Sequence, residues 1–506
     1  MTRDGDVQQG AAPVSEHETI ADQTTRSSTP SPSSSLWIPM ISNFSTSYNV
    51  VNISLVLPIL EQVHNATSED AAACASSLLA GMIVGQLMGG ALGDSRLGRI
   101  GALRLVMALQ IVASIASASL GLFVVDKDSF DREDIFLRLA AFRFFLGIGC
   151  GGVYPLAAVL SAEQGKEEGA VVAARSRNAQ SSQESETQDI EEEKDHDSIH
   201  RVVLTFSTQG MGFVTVPIVA DPLSEEPESE DTPAISLENQ GQEASVVSSE
   251  VNENDASQTD GILLAQPPGG SWLRTLFNEP GLGRKVLGTA GTWFLFDVVF
   301  YGNTIFQPIV VEAAFGGSKS HEDGGIDLLR KAATDSLILT SIALPGYAVA
   351  GFIMGKKTCC ITQTPRYVML QGFAAMTVLY ATIGANWSYL RGYPAMLVFL
   401  YGMTFFFANY GPNTTTFILP SLIFEQEHRA TWNGVSAAAG KLGALTGATF
   451  FEPAADEWGD GAVMVICAVV AIMAFVLTFV AVPKQRQEQE ERIENTNDIG
   501  TNGEMA

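Results

Sequence analysis

Residues 89–99 read GGALGDSRLGR. Two glycines and a small apolar stretch run into Asp94, Arg96, Gly98 and Arg99 within one tight turn. Glycine lets helix backbones approach closely. The acid and the two arginines can pair with helix ends and with one another. The stretch joins two long apolar segments, 72–93 and 101–125. Each meets the roughly 20 mostly apolar residues that a bilayer-spanning helix needs. Such a turn between two such segments predicts an all-α membrane protein.

The same length criterion, carried outward, gives eleven apparent crossings. The others lie at 36–60, 136–160, 201–220, 286–308, 334–354, 366–386, 393–421, 430–451 and 461–482. Composition agrees once it is divided among segments. The 506 residues are 46% hydrophobic and 17% charged, yet the net charge is −27. Stretches 163–197 and 221–260 hold 11 and 12 of the 56 Asp and Glu, and the second has no Lys or Arg. Neither shows helical periodicity. The rest is a series of apolar segments nearly free of charge, which is membrane composition. A nucleic-acid binder needs a basic footprint, so that class is excluded. Cys74, Cys150, Cys359, Cys360 and Cys467 show no framework spacing, which excludes a disulfide-stapled secreted domain.

The segments divide the chain as follows. Residues 1–35, rich in Ser, Thr, Pro and Gln, predict a disordered tail, and their polar start predicts no cleavable signal peptide. Residues 36–220 form an N-terminal helical bundle with an acidic cytoplasmic insert at 163–197. Residues 221–283 are an acidic disordered segment, 284–483 a C-terminal six-helix bundle, and 484–506 a polar cytoplasmic tail. Basic residues cluster in the turns at Arg96, Arg99 and Arg104, at Lys356, Lys357 and Arg366, and at Lys484 and Arg486. The loop 61–71 has three acids and no Lys or Arg. The positive-inside rule then places both termini in the cytoplasm, with the plasma membrane as the expected location. Asn65 and Asn386 open glycosylation sequons in loops expected outside. Eleven crossings with both termini inside is a parity conflict. Either a sixth crossing of an expected twelve is missing between 220 and 286, or 201–220 does not span. The apolar run 261–277 is short and broken by Pro267 and Pro268.

Four further stretches carry chemistry. In GTAGTWFLFDVVFYG (288–302), Trp293, Asp297 and Tyr301 recur every four residues and share a helix face. An acid in mid-membrane is a functional candidate by default, with a structural ion pair as the bland alternative. In SAAAGKLGALTGA (436–448), Lys441 sits among small residues that by themselves signal helix packing. An ammonium there must lose its proton or find an anion, so Asp297 and Lys441 are expected partners. In FFFANYGPNTTTFILP (405–420), Asn409, Asn413 and three threonines flank Pro412, which opens the backbone ladder. Helix-packing hydrogen bonds are the alternative use for them. In GIGCGGVYPLAAVLSAE (147–163), preceded by Arg143, Tyr154 precedes Pro155, and Glu163 ends the crossing. Gln209 adds one polar group to the next segment, where packing is the simpler role.

The 89–99 turn resembles the signature loop of the major facilitator superfamily. Together with the stretches over 286–452 and 143–163, it resembles the phosphate:proton symporter branch of that superfamily. The resemblance implies two helical bundles with a substrate site between them. It implies a phosphate site at Tyr154, Gln209, Trp293, Asp297, Tyr301, Asn413 and Lys441, proton coupling through Asp297 and Glu163, and a gating turn of Asp94, Arg96, Arg99 and Arg143. Lys441 would meet an oxyanion as a point charge, and the phenols, amides and indole can donate hydrogen bonds. An ionised Asp297 only accepts, so it suits a substrate that still carries protons. The chain departs from the branch where the branch has acids, with Thr46, Asn49 and Val153 in their places. Titratable groups left in or at the ends of the matched helices are Asp297, Lys441, Glu163 and Glu452.

The reading is a multi-pass transporter for inorganic phosphate, working by alternating access with proton symport. Its partners are phosphate, protons and the bilayer. Alternatives are an uncoupled phosphate, organic-anion or sugar facilitator, or a phosphate sensor that does not transport. No nucleophile–base pair, metal-spaced cluster or nucleotide loop supports an enzyme, a metal or a cofactor.

Overall fold

The computed structural model describes residues 36–50, 68–123, 132–179, 198–208, 278, 280–305, 310, 337–358 and 361–484. Each of the eleven apolar stretches carries a helix within them. Helix α1 covers 36–50, α2 is Ser68–Gly93, α3 is Gly98–Phe123, α4 is Arg132–Ala179 and α5 covers 198–208. Helix α6 runs through Leu282–Val286, a π turn at Leu287–Gly291 and Thr292–Ile305. Helix α7 is Leu337–Ile353. Pro365–Ala385 forms α8 and Trp387–Leu390 the short α9. Helix α10 runs through Pro394–Ala408, a π turn at Asn409–Asn413 and Thr414–Ile423. Arg429–Trp458 is α11 and Asp460–Ala481 is α12. Among the described residues five helices are singly long and apolar enough to cross a membrane. Helix α4 continues past Glu163 to Ala179, into the first part of the acidic insert. The parity conflict, Gln209, Asn65 and the central acidic segment over 221–277 lie outside the described residues.

Besides the π turn in α6, two departures from pure helix are local. Lys357–Thr358 and Ile361–Thr362 pair as a two-rung antiparallel ladder in the turn after α7. The π turn in α10 surrounds Pro412, which has no N–H to give the ladder. The three threonines after it close the exposed carbonyls. Thr414, Thr415 and Thr416 hydroxyls donate to the carbonyls of Asn409, Gly411 and Pro412 at 2.5, 2.8 and 2.8 Å. These hydroxyls therefore serve the backbone of their own helix, not the helix-packing bonds expected as the alternative.

Small residues set the packing. In the N-terminal half, α2 and α3 lie against α4; in the C-terminal half, α6 lies against α11 and α8 against α12. The stripe in α11 shows why. A Cβ on Gly443 would stand 2.2 Å from the Phe294 carbonyl, and one on Gly447 2.1 Å from that of Val298. The halves meet where α2 crosses α11: a Cβ on Gly434 would stand 2.3 Å from the Gln86 carbonyl. Without a hydrophobic drive between helices in lipid, this close contact is what holds α6 to α11.

Gly443→Val should therefore push α6 from α11. The expected cost is on the order of 1–3 kcal/mol, seen as a lower thermal midpoint in detergent. An unchanged midpoint would show that this contact does not hold the half together.

Candidate substrate site and gate

The four-residue spacing in α6 brings Trp293, Asp297 and Tyr301 to one face, and α11 presents Lys441 to it. Lys441 Nζ donates to Asp297 Oδ2 at 3.2 Å and to the Tyr301 hydroxyl at 2.7 Å. The Trp293 side chain lies beside the same carboxyl. The ammonium also stands 4.2 Å from the Tyr301 ring centroid and 5.9 Å from that of Tyr154, in cation–π range. Trp293, Asp297, Lys441 and Tyr154 are all buried. Gly440 makes room for the indole, since a Cβ there would stand 2.4 Å from Trp293 Cδ1. The sequence pairing of Asp297 with Lys441 is thus realised, with Tyr154, Trp293 and Tyr301 around it.

An aromatic wall extends from this pair across the halves. Tyr154 meets Phe417 edge-on at 6.2 Å, Phe417 lies 4.7 Å from Phe206, and Phe206 lies 5.6 Å from Tyr347. Asn413 donates to the Tyr347 hydroxyl and to Asn409 Oδ1, each at 2.8 Å. Asn409 in turn donates to the Ala343 carbonyl at 3.1 Å. Asn413 therefore faces Tyr347 rather than the Asp297–Lys441 pair. Sequence reasoning missed Tyr347, Phe206 and Phe417. Only Tyr347 carried a signal, as a phenol inside a crossing just after Pro345.

The 89–99 turn forms a second cluster. Asp94 accepts from the Thr431 and Ala430 amides at 2.6 and 3.3 Å, so it caps the N-terminus of α11 from the opposite half. Arg99 pairs with Asp94 at 3.2 Å and with Glu163 at 3.3 Å, and Arg429 reaches Glu163 at 3.4 Å. Arg99 Nη2 also donates to the Gln426 carbonyl at 2.6 Å. Gly98 allows the turn with a φ of 72°. Burial pushes the Asp94 carboxyl above the usual carboxylate range, while Arg99 and the two amides pull it back. These bonds tie the two halves shut at the end carrying the basic turns.

The structure bears on three expectations. Glu163, expected in proton coupling, lies between two arginines of this cluster. Arg143 is not in the gate: it precedes Glu163 by 20 residues on the same helix, roughly 30 Å at 1.5 Å per residue. Arg96 is exposed in the turn and makes none of the gate's ion pairs. Arg429 was missed, because nothing in its own neighbourhood marks an arginine at a helix start as a gate residue. The Glu452 side chain lies outside the described ones, and Asn386 is exposed with its amide donating to the Thr382 carbonyl at 2.9 Å.

Where the branch has acids, the side chains form a neutral network or pack apolar neighbours. Thr46 donates to Gln110 at 3.4 Å and Ser114 to Asn49 at 3.0 Å. Val153 packs with Ala102, Leu103, Val106 and Leu156.

Comparison with known proteins agrees with this layout. Residues 40–175 match the model of the Major Facilitator Superfamily, and 362–496 that of the Sugar (and other) transporter family. The chain is 30% identical to the Probable inorganic phosphate transporter 1-3 of Oryza sativa subsp. japonica, over 82% of this chain and 83% of that protein. It is 30% identical to the Low affinity inorganic phosphate transporter 4 of Petunia hybrida, over 82% and 80%. Among solved structures, the proton:xylose symporter XylE aligns with a TM-score of 0.53 at 15% identity, covering 89% of this chain and 97% of that one. The human organic anion transporter MFSD10 aligns with a TM-score of 0.55 at 13% identity, covering 89% and 100%. These two likenesses support the fold.

Asp94→Asn should loosen the gate. Losing a charge at a helix N-terminus is worth about 1 kcal/mol, or roughly a fivefold shift in population. A reporter cysteine at Thr289, which is buried one turn before Trp293, should then be alkylated correspondingly faster. An unchanged rate would mean that Asp94 does not hold this end closed.

Proposed function

Because this multi-pass membrane protein belongs to the inorganic phosphate transporter family of the major facilitator superfamily, we propose that it carries inorganic phosphate across the plasma membrane by alternating access, with both termini in the cytoplasm. The observation that carries the reading is the buried Lys441–Asp297 pair flanked by Tyr301, Tyr154 and Trp293. An oxyanion that still bears protons fits it. Its charged oxygens replace Asp297 as the counter-ion of Lys441, and its own hydroxyl donates to the released carboxylate. Gln209 and Asn413 complete the proposed shell, Asn413 after turning from Tyr347. The halves rock about this site, and the Asp94–Arg99–Glu163–Arg429 cluster is the gate on the cytoplasmic side.

Proton symport runs in this reading through Asp297: its carboxylate, once phosphate has displaced it from Lys441, takes up a proton and gives it up as phosphate leaves. Glu163 contributes at the gate, where protonation weakens its bonds to Arg99 and Arg429. A second reading, phosphate uniport, is favoured by one observation. The N-terminal half has hydrogen-bonded Thr46 and Asn49 and buried Val153 where the branch has acids.

Uptake of labelled phosphate in transporter-deficient cells tests the substrate. Lys441→Ala should reduce it by at least about 100-fold, as expected when one partner of a buried charge pair is removed. Unchanged uptake would overturn the site. The two readings separate in the pH profile. Symport predicts uptake that rises as the outside is acidified and a flattened profile in Asp297→Asn, whereas a flat wild-type profile supports uniport.

A further inference from the structure

Arg143 is a buried charge that neither the central site nor the gate uses. It is 5% exposed. Among the described residues its Nε and Nη2 atoms have no hydrogen-bond partner. The titratable groups that face it there are two thiols, Cys74 of α2 and Cys150 of α4 itself. None of the described ion pairs includes it. Helix α1 offers neutral side chains, with Thr46 and Asn49 engaged by Gln110 and Ser114. A guanidinium held from water without an anion is strongly unfavourable. Its retention calls for an anion during part of the working cycle.

The helix periodicity says where that anion would stand. Arg143, Cys150 and Tyr154 are spaced by seven and four residues, so they share one face of α4. Tyr154 is the member of that face turned toward Lys441 and Phe417. Arg143 lies about 16 Å from Tyr154 along the axis at 1.5 Å per residue, in the direction away from Glu163 and the gate. The planar guanidinium matches a tetrahedral oxyanion bidentately, which thiols and hydroxyls cannot do.

We infer that Arg143 forms an outer anion site, where inorganic phosphate is held between the non-gate end of the bundle and the Lys441–Asp297 pair. The site rests on the phosphate reading above and extends it from one station to two. Phosphate meets a guanidinium first and an ammonium second, and each lies on the wall that Tyr154 shares.

The test uses the purified full-length protein and its thermal midpoint with and without inorganic phosphate. Arg143→Gln removes an unpaired buried charge, so its phosphate-free midpoint should rise. Lys441→Gln should keep a phosphate-dependent rise that half-saturates about tenfold higher or more, the scale of a charge-assisted hydrogen bond. The double variant should lose that rise, and Arg143→Lys in the Lys441→Gln background should keep part of it. The outer site is overturned if the double variant responds like Lys441→Gln, or if Lys441→Gln shows no response. It is overturned too if Arg143→Gln lowers the phosphate-free midpoint, since the guanidinium would then already be paired. A Lys441→Gln protein that responds like the wild type would instead sink the central site, so the two failures are distinguishable.

Discussion

An ammonium and a carboxylate lie 3.2 Å apart between α6 and α11, both shielded from water. Neither can be left alone there. Removing one partner of a buried pair strands a charge, and that cost exceeds what the pair itself gains over an apolar substitute. Such a pair is weak evidence for stability, and inside a membrane it marks a functional candidate. The surroundings fit that use: a phenol accepts a hydrogen bond from the ammonium, an indole lies beside the carboxyl, and the facing helix places an aromatic ring within cation–π distance.

The same logic of compensated charge organises the gate. Asp94 spends its two oxygens on the free amides of α11 and on Arg99, while Glu163 is shared by Arg99 and Arg429. Each bond crosses from one half to the other or supports one that does. Separating the halves at this end would break several partially desolvated charge contacts together. Glycine contacts between α2 and α11 bring the backbones close enough for a short Asp side chain to reach across.

Much of this was legible in the sequence, for identifiable reasons. Hydropathy marks a membrane helix because lipid leaves backbone groups no partner outside the helix, so every apolar stretch carries one. The Asp297–Lys441 pairing was legible because two opposite charges in mid-membrane have few other ways to be stable. The four-residue spacing of Trp293, Asp297 and Tyr301 gave the face. The threonines after Pro412 were ambiguous, and the π turn shows them bonded to the backbone of their own helix. Contacts between distant segments were the hidden part. Glu163 read as a helix-end acid, and only the approach of Arg99 and Arg429 makes it a gate residue. Arg143 was put in the gate by the family resemblance, but helix length places it toward the other end of the bundle. Asn413 shares a stretch with the site, yet its amide is turned to Tyr347, a contact that neither segment announces.

The central claim is that phosphate replaces Asp297 as the counter-ion of Lys441. The most direct measurement is an experimental structure of the protein saturated with inorganic phosphate. The account predicts a tetrahedral anion within hydrogen-bond distance of Lys441 Nζ and the Tyr301 hydroxyl, with the Lys441–Asp297 separation grown beyond its present 3.2 Å. Phosphate bound elsewhere while that pair stays closed would contradict it.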